Sequence, residues 1–125
     1  MTSDELKTGS YEDLIVWQKA IRLVKRIYEL TGRFPAEEKF RLVSQMRRAA
    51  GSIPSNIAEG QARRTTNEFV QFISHAEGST AELRTQLIIA IELGYCSKAE
   101  ARDAFMLMSE VRKMLNALRR KLQQQ

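Results

Sequence analysis

Cysteine and histidine are nearly missing from this sequence: Cys96 and His75 are the only ones among 125 residues. A zinc site needs several such ligands, and an internal disulfide needs two thiols. A Cys-His or Ser-His nucleophile pair would need a contact to His75 that nothing in the sequence supports. The Glu-x-x-His motif that holds paired metals inside helical bundles is missing too, because Phe72 stands three residues before His75. No glycine-rich phosphate loop or dinucleotide fingerprint is present. The expectation is a non-enzymatic protein with no catalytic residues, no metal and no cofactor.

Long apolar runs are also lacking. The longest uncharged one, "TQLIIAI" from Thr85 to Ile91, falls far short of the roughly 20 residues needed to cross a bilayer. The first ten residues, "MTSDELKTGS", contain no apolar signal region. A single thiol suits a reducing compartment, so the expectation is a cytoplasmic protein with no membrane partner. Strand signals are absent as well, since no segment alternates apolar and polar residues with β-branched and aromatic enrichment. With 43% hydrophobic and 28% charged residues, the chain fits one globular domain with one modest core. Residues 1–9 read as a disordered segment and 10–125 as the domain.

What is present is helical periodicity. Ser10 and Asp13 form a capping-box pattern before a stripe of Leu14, Trp17, Ile21, Val24 and Tyr28, widened by a second row of Val16, Ala20, Leu23 and Ile27. Gly32 suits a left-handed helix end. Pro35 with Glu37 and Glu38 reads as the start of a second helix. Thr65/Glu68 and Ser97/Glu100 boxes open two more. Their seams are Phe69, Ile73, Ala76, Thr80, Leu83, Leu87 and Ala90, and then Ala101, Ala104, Met108, Val111, Leu115, Leu118 and Leu122. Four-and-three spacing sustained in this way, with short connections, predicts an all-α, antiparallel up-down-up-down four-helix bundle. Small-residue stretches "AAGS" (Ala49–Ser52) and "GSTA" (Gly78–Ala81) are expected to face each other in close backbone approach, because glycine inside a helix otherwise costs about 1 kcal/mol.

The stretch "SIPSNIAEGQARR", Ser52 to Arg64, interrupts this regularity. Pro54 cannot supply the N–H of a helical bond and crowds the carbonyl four residues back. Either the second helix ends near Gly51 and another begins at Pro54, or one kinked helix runs from about Ala36 to Glu59.

Net charge is +5, and it is clustered. Residues 33–64 hold seven basic against three acidic residues and 110–125 hold five against one, whereas 65–109 hold three against six. The clusters nominate Arg47, Arg48, Arg63, Arg64, Arg112, Lys113, Arg119, Arg120 and Lys121 as phosphate contacts. Few aromatics are available, so recognition would go through shape and backbone. The competing reading of these charges is a solvated surface on a scaffold or protein-interaction module. Glu59, Glu77 and Glu82 could form a carboxylate cluster, but arginines are at hand to pair with them.

The blocks "LIVWQKA", "FPAEEKFRLVSQMRRAAGSIPSNIAEGQARR", "EFVQFISHAEGSTAEL" and "LIIAIELGY", over about residues 11–95, resemble the 23S rRNA intervening-sequence (S23-type) proteins. The resemblance implies a four-helix bundle assembled as a homopentamer, with the second helix continuing through the proline. That family is named for reading frames inside insertions of large-subunit ribosomal RNA genes, and with the clustered charge this makes ribosomal or other structured RNA the expected partner. Ser52, Asn56, Glu59, Arg63, Glu77, Ser79 and Glu82 fall at the family's polar motif positions, where a structural hydrogen-bond network, buried or at a subunit interface, is the expected role.

Overall fold

The computed structural model of the chain describes residues 2, 5, 6 and 9–124. The expected disordered segment, 1–9, lies mostly outside these. Of its described residues, Leu6 is buried, and the Gln61 side-chain amide donates to the Leu6 carbonyl at 3.3 Å and also to the Gly9 carbonyl.

Among the described residues four long helices form the fold: α1 (Ile15–Thr31), α2 (Leu42–Gln61), α3 (Thr66–Glu92) and α4 (Lys98–Gln123). No strand occurs among the described residues. The helices pack in a closed ring of seams, α1–α2, α2–α3, α3–α4 and α4–α1, with α2–α3 the most extensive. No helix among the described residues is long and apolar enough to cross a membrane.

The caps of α3 and α4 follow their sequence signals. Thr65 Oγ1 accepts the Glu68 N–H at 3.1 Å. Ser97 and Glu100 make the full reciprocal box, with bonds of 3.1 and 2.9 Å. The end of α3 carries a Schellman turn that the sequence reading missed in "LGY". Gly94 adopts φ +79°, the only left-handed residue described, and the N–H of Tyr95 reaches the Ala90 carbonyl at 2.9 Å.

The first two helices start later than their caps suggest. Ser10 accepts the Glu12 N–H at 3.1 Å and opens a single 3₁₀ turn, Tyr11–Asp13. Leu14 then turns extended to bury its side chain, and α1 begins at Ile15. Pro35 likewise precedes a single 3₁₀ turn, Ala36–Glu38, and irregular backbone at Arg41 delays α2 to Leu42. This turn is tied to the α3–α4 connection, where the Tyr95 hydroxyl donates to Glu38 at 2.6 Å and the Phe34 and Tyr95 rings lie 5.6 Å apart. Beyond Leu42 the helix is unbroken through Pro54 to Gln61. Of the two readings of the proline, the break near Gly51 is the one overturned.

Gly32 is right-handed, with φ −61°, contrary to expectation. The Leu30 and Thr31 carbonyls are met by the N–H groups of Arg33 at 3.3 Å and Phe34 at 3.1 Å, and a side chain from the next helix adds to this. Arg47 donates to the Tyr28 carbonyl at 3.3 Å and to Thr31 Oγ1 at 3.0 Å, and its guanidinium lies 4.4 Å over the Tyr28 ring. A left-handed cap is therefore unnecessary.

Every residue of the stripes expected on α3 and α4 is buried. On α1 the two rows exchange roles. Val16, Ala20, Leu23 and Ile27 form the core row, while Ile21 and Tyr28 of the other row are 43% and 48% exposed. A stripe two rows wide leaves the bundle to choose which row faces its axis. Burial of side chains such as Leu23, Ile53, Phe69 and Leu115 supplies about 1.5 to 3 kcal/mol each.

Candidate nucleic-acid interface

The structure divides the nine nominated cations into partnered and unpartnered groups. Arg47 is committed to capping α1, as above. Arg119 is committed to α3: its Nε donates to Glu77 Oε1 at 3.0 Å and its Nη2 to Asn116 Oδ1 at 2.7 Å. Neither has its guanidinium wholly available to a ligand. Arg63 pairs weakly with Glu59 at 3.8 Å and stacks 4.7 Å over the Phe72 ring. Arg64 is exposed beside it. Arg48, Arg112, Lys113, Arg120 and Lys121 are exposed and have no ion-pair partner among the described residues. The Glu77–Arg119 bond sets the second half of α4 beside the first half of α3. The basic end of α4 therefore shares one half of the bundle with the α2–α3 turn that carries Arg63 and Arg64.

Charge counting by segment hid two further arginines. Arg84 and Arg102 lie in the acidic stretch 65–109, yet both are exposed without a carboxylate partner among the described residues. The signal that could have found them is helix periodicity. Arg102 is ten residues before Arg112, a spacing of three steps of three or four that keeps both on one side of α4.

The polar motif positions separate in the same way. Ser52 and Ser79 bring their hydroxyls to 2.8 Å across α2–α3, and the Asn56 amide donates to the Ser52 carbonyl at 2.8 Å and hydroxyl at 2.9 Å. This trio is half-buried. The glutamates lie outside it: Glu77 faces Arg119, Glu59 faces Arg63, and Glu82 is exposed. The three carboxylates thus have separate surroundings and do not share one site.

The two small-residue stretches do meet, through Ser52 and Ser79, but the glycines are not their points of closest approach. A Cβ at Gly51 or Gly78 would have nothing within 4 Å, because both point away from the seam. The close approach is at Gly60, where a Cβ would stand 2.7 Å from Phe72 Cβ and 2.9 Å from Phe69 Cδ1.

His75 is exposed in mid-α3, edge-on to Phe72, whereas Cys96 is buried in the α3–α4 turn. The intervening helix separates them by about 25 Å at about 1.5 Å per residue. Burial, with Glu100 nearby, raises the Cys96 thiol above its ordinary value and keeps it protonated. The Glu100 carboxyl lies below the usual carboxylate range because Ser97 donates to it.

Comparison with curated proteins gives no match. A family model described as 23S rRNA-intervening sequence protein matches residues 12–117, from before α1 to the last turns of α4. The chain belongs to that family.

Proposed function

We propose that this member of the 23S rRNA-intervening sequence protein family is a cytoplasmic, non-catalytic homo-oligomer, built from an up-down-up-down bundle bent at Pro54, that binds structured RNA through basic surface. The observation that carries the reading is the set of exposed arginines and lysines with no acidic partner among the described residues. Solvated cations left unpaired can displace condensed counterions from a phosphate backbone. The family's description, which names a ribosomal RNA, supports the choice of RNA. Pair directions support the topology: residues 19, 26 and 33 of the first half oppose 110, 103 and 100 in descending order.

Self-association draws on the outer face of α2 and α3. Phe40 is 86% exposed, Leu93 56% and Ile89 43%, and Gln86 keeps a buried Oε1 without a partner. Gly51 and Gly78 leave open room there for another backbone. Five copies, as the family resemblance implies, would carry five times the chain's +5, so contacts weak in one copy would act together.

Fluorescence anisotropy of nuclease-treated protein with a ribosomal RNA hairpin, beside matched duplex DNA and across salt concentrations, tests the RNA reading. Tight binding with a steep salt slope and a preference for RNA is expected. Binding no tighter than about 10⁻⁴ to 10⁻⁶ M would leave the scaffold reading in its place. Sedimentation of Gly78→Leu tests the assembly: a helical but dissociated chain is expected, and an unchanged oligomer would remove this face from the interface.

A further inference from the structure

We propose that the α3–α4 seam is a track for the phosphodiester backbone of RNA, with Arg84, Arg102 and Arg112 as its main contacts. The inference rests on the RNA-binding reading above and gives it a location.

Three open recesses share lining residues here, two between α3 and α4 and one on the outer face of α4. The first is bordered by Ile88, Ile91 and Glu92 of α3 with Lys98 and Phe105 of α4. Lys98 and Phe105 also border the second, with Arg102 and Ser109. Ser109 in turn borders the third, with Thr80, Arg84 and Arg112. On α4 the row Lys98, Arg102, Phe105, Ser109, Arg112, Asn116 and Arg119 repeats at four and three residues, and so occupies one side of the helix. The row is about 32 Å long at about 1.5 Å per residue, enough for several successive phosphates.

The charges on this row differ in kind from those on the other side of the same helix. Toward α1, α4 presents Asp103 and Glu110, and each is met by a cation, Arg26 at 3.4 Å and Lys19 respectively. Toward α3 it presents Lys98 and Arg112, with Arg102 between them on the adjoining outer face, and none of the three has an ion-pair partner among the described residues. Arg84 adds a fourth cation from α3, and its guanidinium rests 5.0 Å over the Phe105 ring. The ring holds the guanidinium plane while its N–H edge stays available to an anion. Of the seam's two acids, Glu77 is taken by Arg119 at 3.0 Å, which leaves Glu92 at one end. The seam is thus an electropositive groove with a partly apolar floor.

A phosphate backbone suits this arrangement better than an acidic peptide. Guanidinium forks match phosphate oxygens bidentately, and the cations are spread along a line rather than gathered at one point. The one aromatic ring lies beneath Arg84, which favours backbone contact over base stacking.

The test compares two triple variants with equal charge loss, Arg84→Gln/Arg102→Gln/Arg112→Gln in the seam and Arg48→Gln/Arg120→Gln/Lys121→Gln outside it. RNA-hairpin affinity is measured across salt, with circular dichroism to verify the fold. Arg102 and Arg112 have no hydrogen bond, ion pair or ring contact among the described residues, so Arg102→Gln/Arg112→Gln serves if the Arg84 change unsettles the helices. The seam variant is expected to bind about tenfold more weakly or worse near about 0.1 M salt, with a log-log slope shallower by about one per cation removed. The outside variant should keep most of the affinity. Equal losses in both triples, or a seam variant that binds like the parent, would overturn the track while leaving RNA binding intact. A parent chain that ignores RNA but binds polyglutamate would overturn the track and the RNA reading together.

Discussion

Across α2–α3 the tightest contacts join small groups and rings: Gly60 against Phe69 and Phe72, and the Ser52 hydroxyl against that of Ser79. Across α1–α4 they are ion pairs between long side chains, Lys19 with Glu110, Arg26 with Asp103 and Arg33 with Glu100. The first seam buries Gly60 and Phe69, so there it responds to volume. The second is wet: its side chains are 24% to 73% exposed, and each pair contributes little while helping to fix which faces meet. One fold therefore holds one pair of neighbours by packing and another by register-setting charge. The unpaired cations on the third seam, α3–α4, stand out against Asp103 and Glu110 on the α1 side of α4, both of which are paired.

The sharpest way to break the contrast is Phe69→Ala. Phe69 is fully buried against Gly60, and its loss should cost about 3 to 5 kcal/mol in chemical denaturation. A cost near that of a surface change would mean the seam collapses without penalty. Next is Gly60→Ala, which adds one methyl where atoms already stand within 3 Å. A loss of about 1 to 3 kcal/mol is expected from overpacking. Gly78→Ala, read in the same denaturation experiment, should be neutral or stabilising, by up to about 1 kcal/mol. Equal signs at the two glycines would contradict the geometry described.

Glu110→Gln, on the wet seam, should cost no more than about 1 kcal/mol, and the difference should fade as salt rises. A salt-independent cost would mean that the pair is more desolvated than its exposure indicates. The smallest effect belongs to the tie between the loops. Tyr95 keeps its proton above the ordinary value of 10.0 because it donates to Glu38, with burial adding to the effect. The folded pKa is raised, so the stabilising contribution is complete below the unfolded value and is lost as pH rises through the folded one. Tyr95→Phe should therefore narrow its gap to the parent as pH rises beyond about 10. A gap that stays constant would show that the hydroxyl adds nothing.

The seams of α3 and α4 were readable residue by residue because four-and-three spacing picks out one row in each, even where Ile88, Ile89 and Ile91 lie beside it. The two-row stripe of α1 was not, and neither were the late starts of α1 and α2. At those starts Ser10 and Pro35 open single 3₁₀ turns, and the chain then leaves helical geometry to pack Leu14 and to reach Tyr95. Among the nominated cations, Arg47 and Arg119 looked the same as Arg48 and Arg112 in the sequence. Their partners, the end of α1 and Glu77, lie 16 to 42 residues away in the chain.

By itself the sequence determined that this chain is helical, which stripes of α3 and α4 face inward, and that its charge is positive and uneven. These follow from local periodicity and composition, which a chain carries before it folds. Tertiary structure decided which row of α1 is core, that Gly60 rather than Gly78 is the close approach, and which arginines remain without a carboxylate. Each of these depends on an atom supplied by another helix, and a pattern within one helix does not specify what its neighbour brings.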